Sequence, residues 1–217
     1  MRHIVTRDGR EIPVGKIVAI GANYTDHIEE MGHTIPESPM IFLKPATSII
    51  HEGEPIYYPS TGSLVHHEVE LGLVIGVGGK DIPEGSGMMH VSHHLLALDM
   101  TLRDVQLDAM RRGWPWSTAK GFDGACPLSE ALPVGDPDVL SNLPIRLAVN
   151  GETRQDGTTA NMIWGPGQLV EIVSQHFTLE PGDLILTGTP AGVDEVRRGD
   201  TIEAWLGDAL SITFPVA

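Results

Sequence analysis

The stretch His66-His67-Glu68-Val69-Glu70-Leu71-Gly72-Leu73-Val74-Ile75-Gly76 constrains the fold more than any other part of the chain. From Val69 onward it is apolar, rich in β-branched residues and punctuated by glycine, which reads as a buried strand. Side chains two apart on a strand project from one face. Glu68 and Glu70 are therefore planted side by side next to core. Two ionised carboxylates there repel each other and lose hydration unless a proton, an arginine or a metal compensates.

A third acid suggests the compensation. Leu95-Leu96-Ala97-Leu98-Asp99 is an apolar run ending in a carboxylate, which places Asp99 at the C-terminal end of a strand. The following Thr101-Leu102-Arg103-Asp104 has the Ser/Thr-x-x-Asp/Glu spacing that caps the start of a helix. Glu68, Glu70 and Asp99 with no cysteine nearby form a hard oxygen donor set, suited to Mg²⁺, Mn²⁺ or Ca²⁺ rather than Zn²⁺ or copper. Spacing alone leaves an alternative open, in which the two glutamates face solvent and Asp99 merely begins a turn.

Other stretches read mostly as strand. Lys16–Gly21, Met40–Leu43 and Leu143–Val149 are apolar runs, and Asn150-Gly151 predicts a hairpin joining 145–149 to 152–154. Pro181–Thr187, Gly199–Leu206 and Ser211–Val216 read as turns entering strands, the last two with alternating wet and dry positions. Helices are expected near 24–31, 102–112 and 166–176. With 25 Gly and 16 Pro among 217 residues, the many turns fit one β-rich domain over 1–217 with long functional loops. The fold class is thus α+β, mainly β.

Charge and cysteine content narrow the partners. Acidic residues outnumber basic ones 29 to 14, which argues against nucleic acid or an anionic membrane. The single Cys126 excludes an intramolecular disulfide and fits a reducing compartment, where it reads as a small buried residue. No apolar signal core begins the chain and no run reaches membrane-spanning length, so a cytoplasmic location is expected.

Three further groups carry polar chemistry. In Asn23-Tyr24-Thr25-Asp26-His27-Ile28-Glu29-Glu30, a helix from Thr25 puts His27 and Glu30 on one face. An imidazole oriented by a carboxylate can act as a general base, although an ordinary surface pair has the same spacing. The loop-like residues that follow make 24–38 a candidate lid. Lys120, alone in a Gly/Ala-rich loop, could stabilise an anion or simply be solvated. Leu186-Thr187-Gly188-Thr189-Pro190 can offer N–H groups and hydroxyls to a carboxylate, but lacks the lysine and spacing of a nucleotide-binding loop.

Taken in order, Gly21–His27, Phe42-Leu43-Lys44-Pro45, His66–Gly72, Leu98–Gln106, Ala119-Lys120-Gly121-Phe122 and Leu186–Pro190 resemble the fumarylacetoacetate hydrolase family, most closely its short acylpyruvase and oxaloacetate decarboxylase members. The resemblance spans nearly the whole chain. It implies a mixed β-roll or sandwich, usually a homodimer, with Glu68, Glu70 and Asp99 as ligands of Mg²⁺ or Mn²⁺. It further implies His27 and Glu30 as a lid dyad that activates water and Lys120 as the residue that stabilises an enolate. Arg103, Gln106 and Thr189 match positions lining the substrate pocket.

The implied reaction is hydrolysis of an acylpyruvate through a pyruvate enolate, with oxaloacetate decarboxylation or keto–enol tautomerisation as alternatives at the same site. A non-catalytic 2-oxo-acid-binding protein is the alternative from another class, and such a module would not need the lid base. Met162–Gln168 matches neither the hydrolases nor the related decarboxylase-isomerases, which leaves the group beyond the scissile bond open.

Overall fold

Residues 2–30 and 35–217 are described by a computed structural model, with the side chains of 27–29 outside that description. The central element is a curled mixed sheet. Its strands run in the spatial order Met40–Lys44, Ile17–Gly21, Leu184–Leu186, Val69–Ile75, Val91–Leu98, Cys126–Leu128, Ile49–His51. The two strands at its ends are consecutive in sequence, joined through the short turn Ala46–Ser48. The sheet therefore curls, bringing Lys44 back toward residues on its middle strands.

Both faces of this sheet are covered, which explains why its strands read as continuous apolar runs. Ile17, Ala19, Val74, Leu95, Leu184 and Leu186 pack into one cluster with Ile4, Val14 and Cys126. Val18, Ile20, Leu71, Leu73, Leu96 and Ile185 face the other way. They meet a four-stranded antiparallel sheet, ordered Glu152–Thr158, Pro144–Val149, Thr201–Leu206, Leu210–Pro215, and the helix Pro166–His176. The predicted hairpin forms around Asn150 and Gly151, both at positive φ, and strand Thr201–Leu206 alternates half-buried with buried positions as its sequence requires.

Two local expectations are corrected. Thr101 does not cap the helix Arg103–Arg112. Leu102 occupies that position, and the Thr101 hydroxyl donates instead to Glu68 Oε1 (3.1 Å) and the Asp99 carbonyl (3.2 Å). Glu68 also lies just before the strand Val69–Ile75 rather than within it, although its carbonyl still accepts the Asp99 N–H at 2.8 Å.

Candidate active site

The site forms where three chain ends of the curled sheet meet. Val69–Ile75 runs antiparallel to Val91–Leu98 with Val69 opposite Leu98, so Glu68 and Asp99 emerge together at one end. Leu184–Leu186 runs antiparallel to Val69–Ile75 on its other side, and delivers Thr187–Thr189 to the same end. One carboxylate oxygen from each of Glu68, Glu70 and Asp99 lies within 4.8 Å of the others, and all three residues are buried. This hard oxygen set fits a Mg²⁺- or Mn²⁺-type cation, with further positions left for water or ligand oxygens.

Cationic side chains surround the acids. Lys120, at the end of the short helix Ser117–Lys120, places its buried Nζ 2.7 Å from Glu68 Oε2 and 2.6 Å from Asp99 Oδ2. Gly121 makes this possible, because a Cβ there would meet Pro45 Cδ and the Ser117 carbonyl at 2.8 Å. Phe42 lies under the ammonium, 5.0 Å from ring centroid to Nζ. Lys44 Nζ donates to Asp99 Oδ1 at 2.5 Å and to the Lys120 carbonyl. Arg103 bonds Glu68 Oε1 and Gln106 Oε1, and its Nε reaches His66 Nδ1 at 3.4 Å.

Burial and charge set the protonation behaviour. Burial, with the neighbouring Asp99 and Glu68 carboxylates, holds the Glu70 carboxyl well above the ordinary carboxylate range. For Lys120 burial opposes the charge, and Asp99 and Glu68 outweigh it, so its ammonium is held more tightly than in water. Burial and the Arg103 guanidinium pull His66 down to about 4, leaving a neutral imidazole that accepts from Arg103. Tyr24 is fully buried; desolvation and the Glu70 charge raise its hydroxyl, which has no hydrogen-bond partner among the described residues.

A glycine fixes the Glu70 carboxylate. The Gly188 N–H donates to Glu70 Oε2 at 2.7 Å, from a backbone at φ +93° where a Cβ would lie 2.9 Å from Asn23 Cβ. Asn23 clamps this corner. Its Nδ2 donates to the carbonyls of Thr187 (2.8 Å) and Trp164 (3.1 Å), and its Oδ1 accepts the Trp164 N–H (2.9 Å). The stretch 162–168 is thus fastened to the root of the helix Thr25–Glu30. Glu30 Oε2 accepts the Gly192 N–H at 3.0 Å, docking that helix on the 188–192 loop. Of the candidate lid expected over 24–38, the His27 side chain and residues 31–34 lie outside the described residues.

The structure therefore joins Glu68, Asp99, Lys120, Arg103 and Gln106 in one hydrogen-bonded cluster, with a Glu70 carboxylate oxygen within 4.8 Å of those of Glu68 and Asp99 and Thr189 one residue beyond the Gly188 contact. Sequence reading missed Lys44, His66 and Gln155 as site residues. Lys44 had a weak signal, a lone charge ending the apolar run Met40–Leu43. Gln155 had none.

This fold and acidic site define a class. The chain belongs to the fumarylacetoacetate hydrolase family: residues 16–217 match the family model described as Fumarylacetoacetate (FAA) hydrolase C-terminal. It is 44% identical over 203 residues to the mitochondrial oxaloacetate tautomerase FAHD1 of Homo sapiens, covering 92% of this chain and 90% of that protein. It is 44% identical over 196 residues to the oxaloacetate tautomerase YcgM of Escherichia coli, covering 88% of each. Among solved structures, fumarylpyruvate hydrolase from Pseudomonas aeruginosa in complex with Mn²⁺ and pyruvate superimposes with a TM-score of 0.94 at 33% identity, over 99% of this chain and 95% of that one. Among the described residues no helix is long and apolar enough to cross a membrane.

Proposed function

We propose that this chain is a divalent-metal-dependent oxaloacetate keto–enol tautomerase, with acylpyruvate hydrolysis as the second reading at the same site. The observation that carries the proposal is the buried Glu68–Glu70–Asp99 cluster with the Lys120 ammonium against two of its carboxylates. The tautomerase relatives, at 44% identity, favour tautomerisation over the hydrolysis that the motifs first suggested. Hydrolysis keeps its support from the fold it shares with a fumarylpyruvate hydrolase.

A Mg²⁺ or Mn²⁺ ion held by Glu68, Glu70 and Asp99 supplies Lewis-acid polarisation of a 2-oxo acid. The protein's own groups do the rest. Lys120 presents a buried positive charge where negative charge develops on the C2 oxygen, favouring the enolate-like transition state over the ground state. Arg103, held by Glu68, Gln106 and His66, has the planar donor geometry that suits a substrate carboxylate. Tautomerisation then needs one proton moved between C3 and the C2 oxygen, a task for His27 oriented by Glu30. In hydrolysis the same imidazole would deprotonate a water that attacks the distal carbonyl. Assembly as a homodimer belongs to this proposal and is checked by light scattering after size exclusion.

The test follows the ultraviolet absorbance of oxaloacetate enol with Mg²⁺ or Mn²⁺, against the ion alone, beside hydrolysis of acetylpyruvate and fumarylpyruvate and loss of CO₂ from oxaloacetate. Enol and keto forms should interconvert faster with protein, EDTA should abolish the effect, and His27→Ala should cost about 10²–10⁴-fold. No acceleration over the ion alone would sink the tautomerase reading, and turnover untouched by EDTA would sink both.

A further inference from the structure

Gln155 is fully buried in the strand Glu152–Thr158, whose other residues are exposed or half-buried. It turns inward because the register against Pro144–Val149 slips there: Leu147 faces Gln155 and Ala148 faces Thr153, leaving Arg154 as an extra residue. Bulges of this kind re-aim side chains beside active sites.

Both ends of the Gln155 amide are fixed by partners with only one possible role. The Val69 N–H must donate, so the atom it meets at 3.1 Å is Oε1. His67 Nδ1, 2.9 Å from the same oxygen, must then carry a proton. At the other end the Pro190 carbonyl can only accept, so the atom 2.9 Å away is Nε2, and its second hydrogen goes to Thr189 Oγ1 at 2.7 Å. The Thr189 hydroxyl thus accepts from Gln155 and donates to no acceptor among the described residues.

We infer that Gln155 is a positioning residue that makes Thr189 a hydrogen-bond donor toward a substrate oxygen. By holding Thr189 and Pro190 against Val69, it ties the loop bearing the Glu70 contact to the strand that follows Glu68. The inference rests on the proposed reading, in which Thr189 faces a 2-oxo acid. It adds the direction of that hydroxyl's proton and the residue that sets it. A hydroxyl turned the other way would oppose its lone pairs to those of a carboxylate or enolate oxygen.

The experiment is a double-mutant cycle with Gln155→Leu and Thr189→Val in Mn²⁺-loaded protein. It reads oxaloacetate tautomerisation kcat/KM and the dissociation constant of oxalate, a planar dicarboxylate probe, by calorimetry. Loss of a group that orients a contacting residue typically costs about 10–100-fold. Each single variant should lose activity and oxalate affinity, and the double variant should fall by clearly less than the product of the two single losses, since removing the hydroxyl leaves nothing to orient and only the Pro190 and Val69 bonds remain to be lost. Losses that multiply, or an unaffected Gln155→Leu variant, would overturn the inference. If Gln155→Leu shows no cooperative melt, Gln155→Met replaces it in the cycle. It is unbranched at Cβ and Cγ and nearly the same length as glutamine, has no donor for Thr189, and the same outcomes decide. Wild-type protein that binds oxalate without accelerating tautomerisation would refute the proposed function while the oxalate cycle still decides on Gln155. Protein that binds no oxalate refutes both.

Discussion

Replacing Lys44 with methionine keeps the length of the side chain and removes only its charge and donors. Lys44 and Asp99 form an ion pair with side chains 0% and 1% exposed, and Lys44 also satisfies the Lys120 carbonyl. A surface pair of this kind would be worth only about 0–1 kcal/mol. Breaking one inside a protein costs about 3–5 kcal/mol, because the remaining charge stays buried with too little compensation. For a chain of this length each kcal/mol moves Tm by roughly 2–4 °C, so Lys44→Met should melt roughly 6–20 °C below wild type in EDTA. The variant retains Lys120 and Arg103 against Glu68, Glu70 and Asp99, leaving the cluster one positive charge short. A divalent cation should then bind the variant more tightly. Ligand at 100 times its Kd stabilises a native state by about 2.7 kcal/mol, and tighter binding at the same concentration stabilises it more. The assay is thermal melting of both proteins by circular dichroism, in EDTA and in a fixed excess of Mn²⁺. The rise in Tm on adding Mn²⁺ should be larger for Lys44→Met. A variant within about 2 °C of wild type in EDTA, or an equal rise in both proteins, would refute the electrostatic account of Lys44.

Two more expectations concern Glu70. Glu70 is held above the usual carboxylate range, whereas a cation binds its ionised form, so metal binding should release a proton and apparent affinity should rise with pH above the ordinary value of 4.5. Calorimetric titration of Mn²⁺ in buffers of different ionisation enthalpy measures this, and zero proton release would contradict the shift. Gly188→Ala should destabilise the fold by about 1–3 kcal/mol through its left-handed backbone and weaken Mn²⁺ binding, since the Gly188 N–H holds Glu70 and a Cβ there would lie 2.9 Å from Asn23 Cβ. Unchanged melting and unchanged Mn²⁺ affinity would show that the loop yields freely.

The elements of this fold are local in origin, and the sequence read them well. Apolar runs with β-branched residues became the strands Ile17–Gly21, Val69–Ile75 and Val91–Leu98, and helices formed at Arg103–Arg112 and Pro166–His176. The period of two placed Glu68 and Glu70 together, and the abrupt end of an apolar run placed Asp99 beyond a strand. Where local rules failed, a stronger distant partner had claimed the residue. Thr101 has the spacing of a helix cap, yet its hydroxyl turns to Glu68, because a hydrogen bond to a buried charged group is worth about 1.5–3 kcal/mol against about 1 kcal/mol for a cap.

What the sequence alone determined was the strand inventory, the acidic donor set and the family to which both point. Tertiary structure decided which cations neutralise that set and which groups aim it. Lys44 reaches Asp99 because the ends of a curled sheet meet, across 55 residues of sequence. Gln155 faces inward because a one-residue slip of register turns it there, and in sequence it looks like any polar residue of an exposed strand. Side-chain periodicity reports only a residue's own element, whereas compensation of buried charge is settled by whatever the fold brings within a few ångströms.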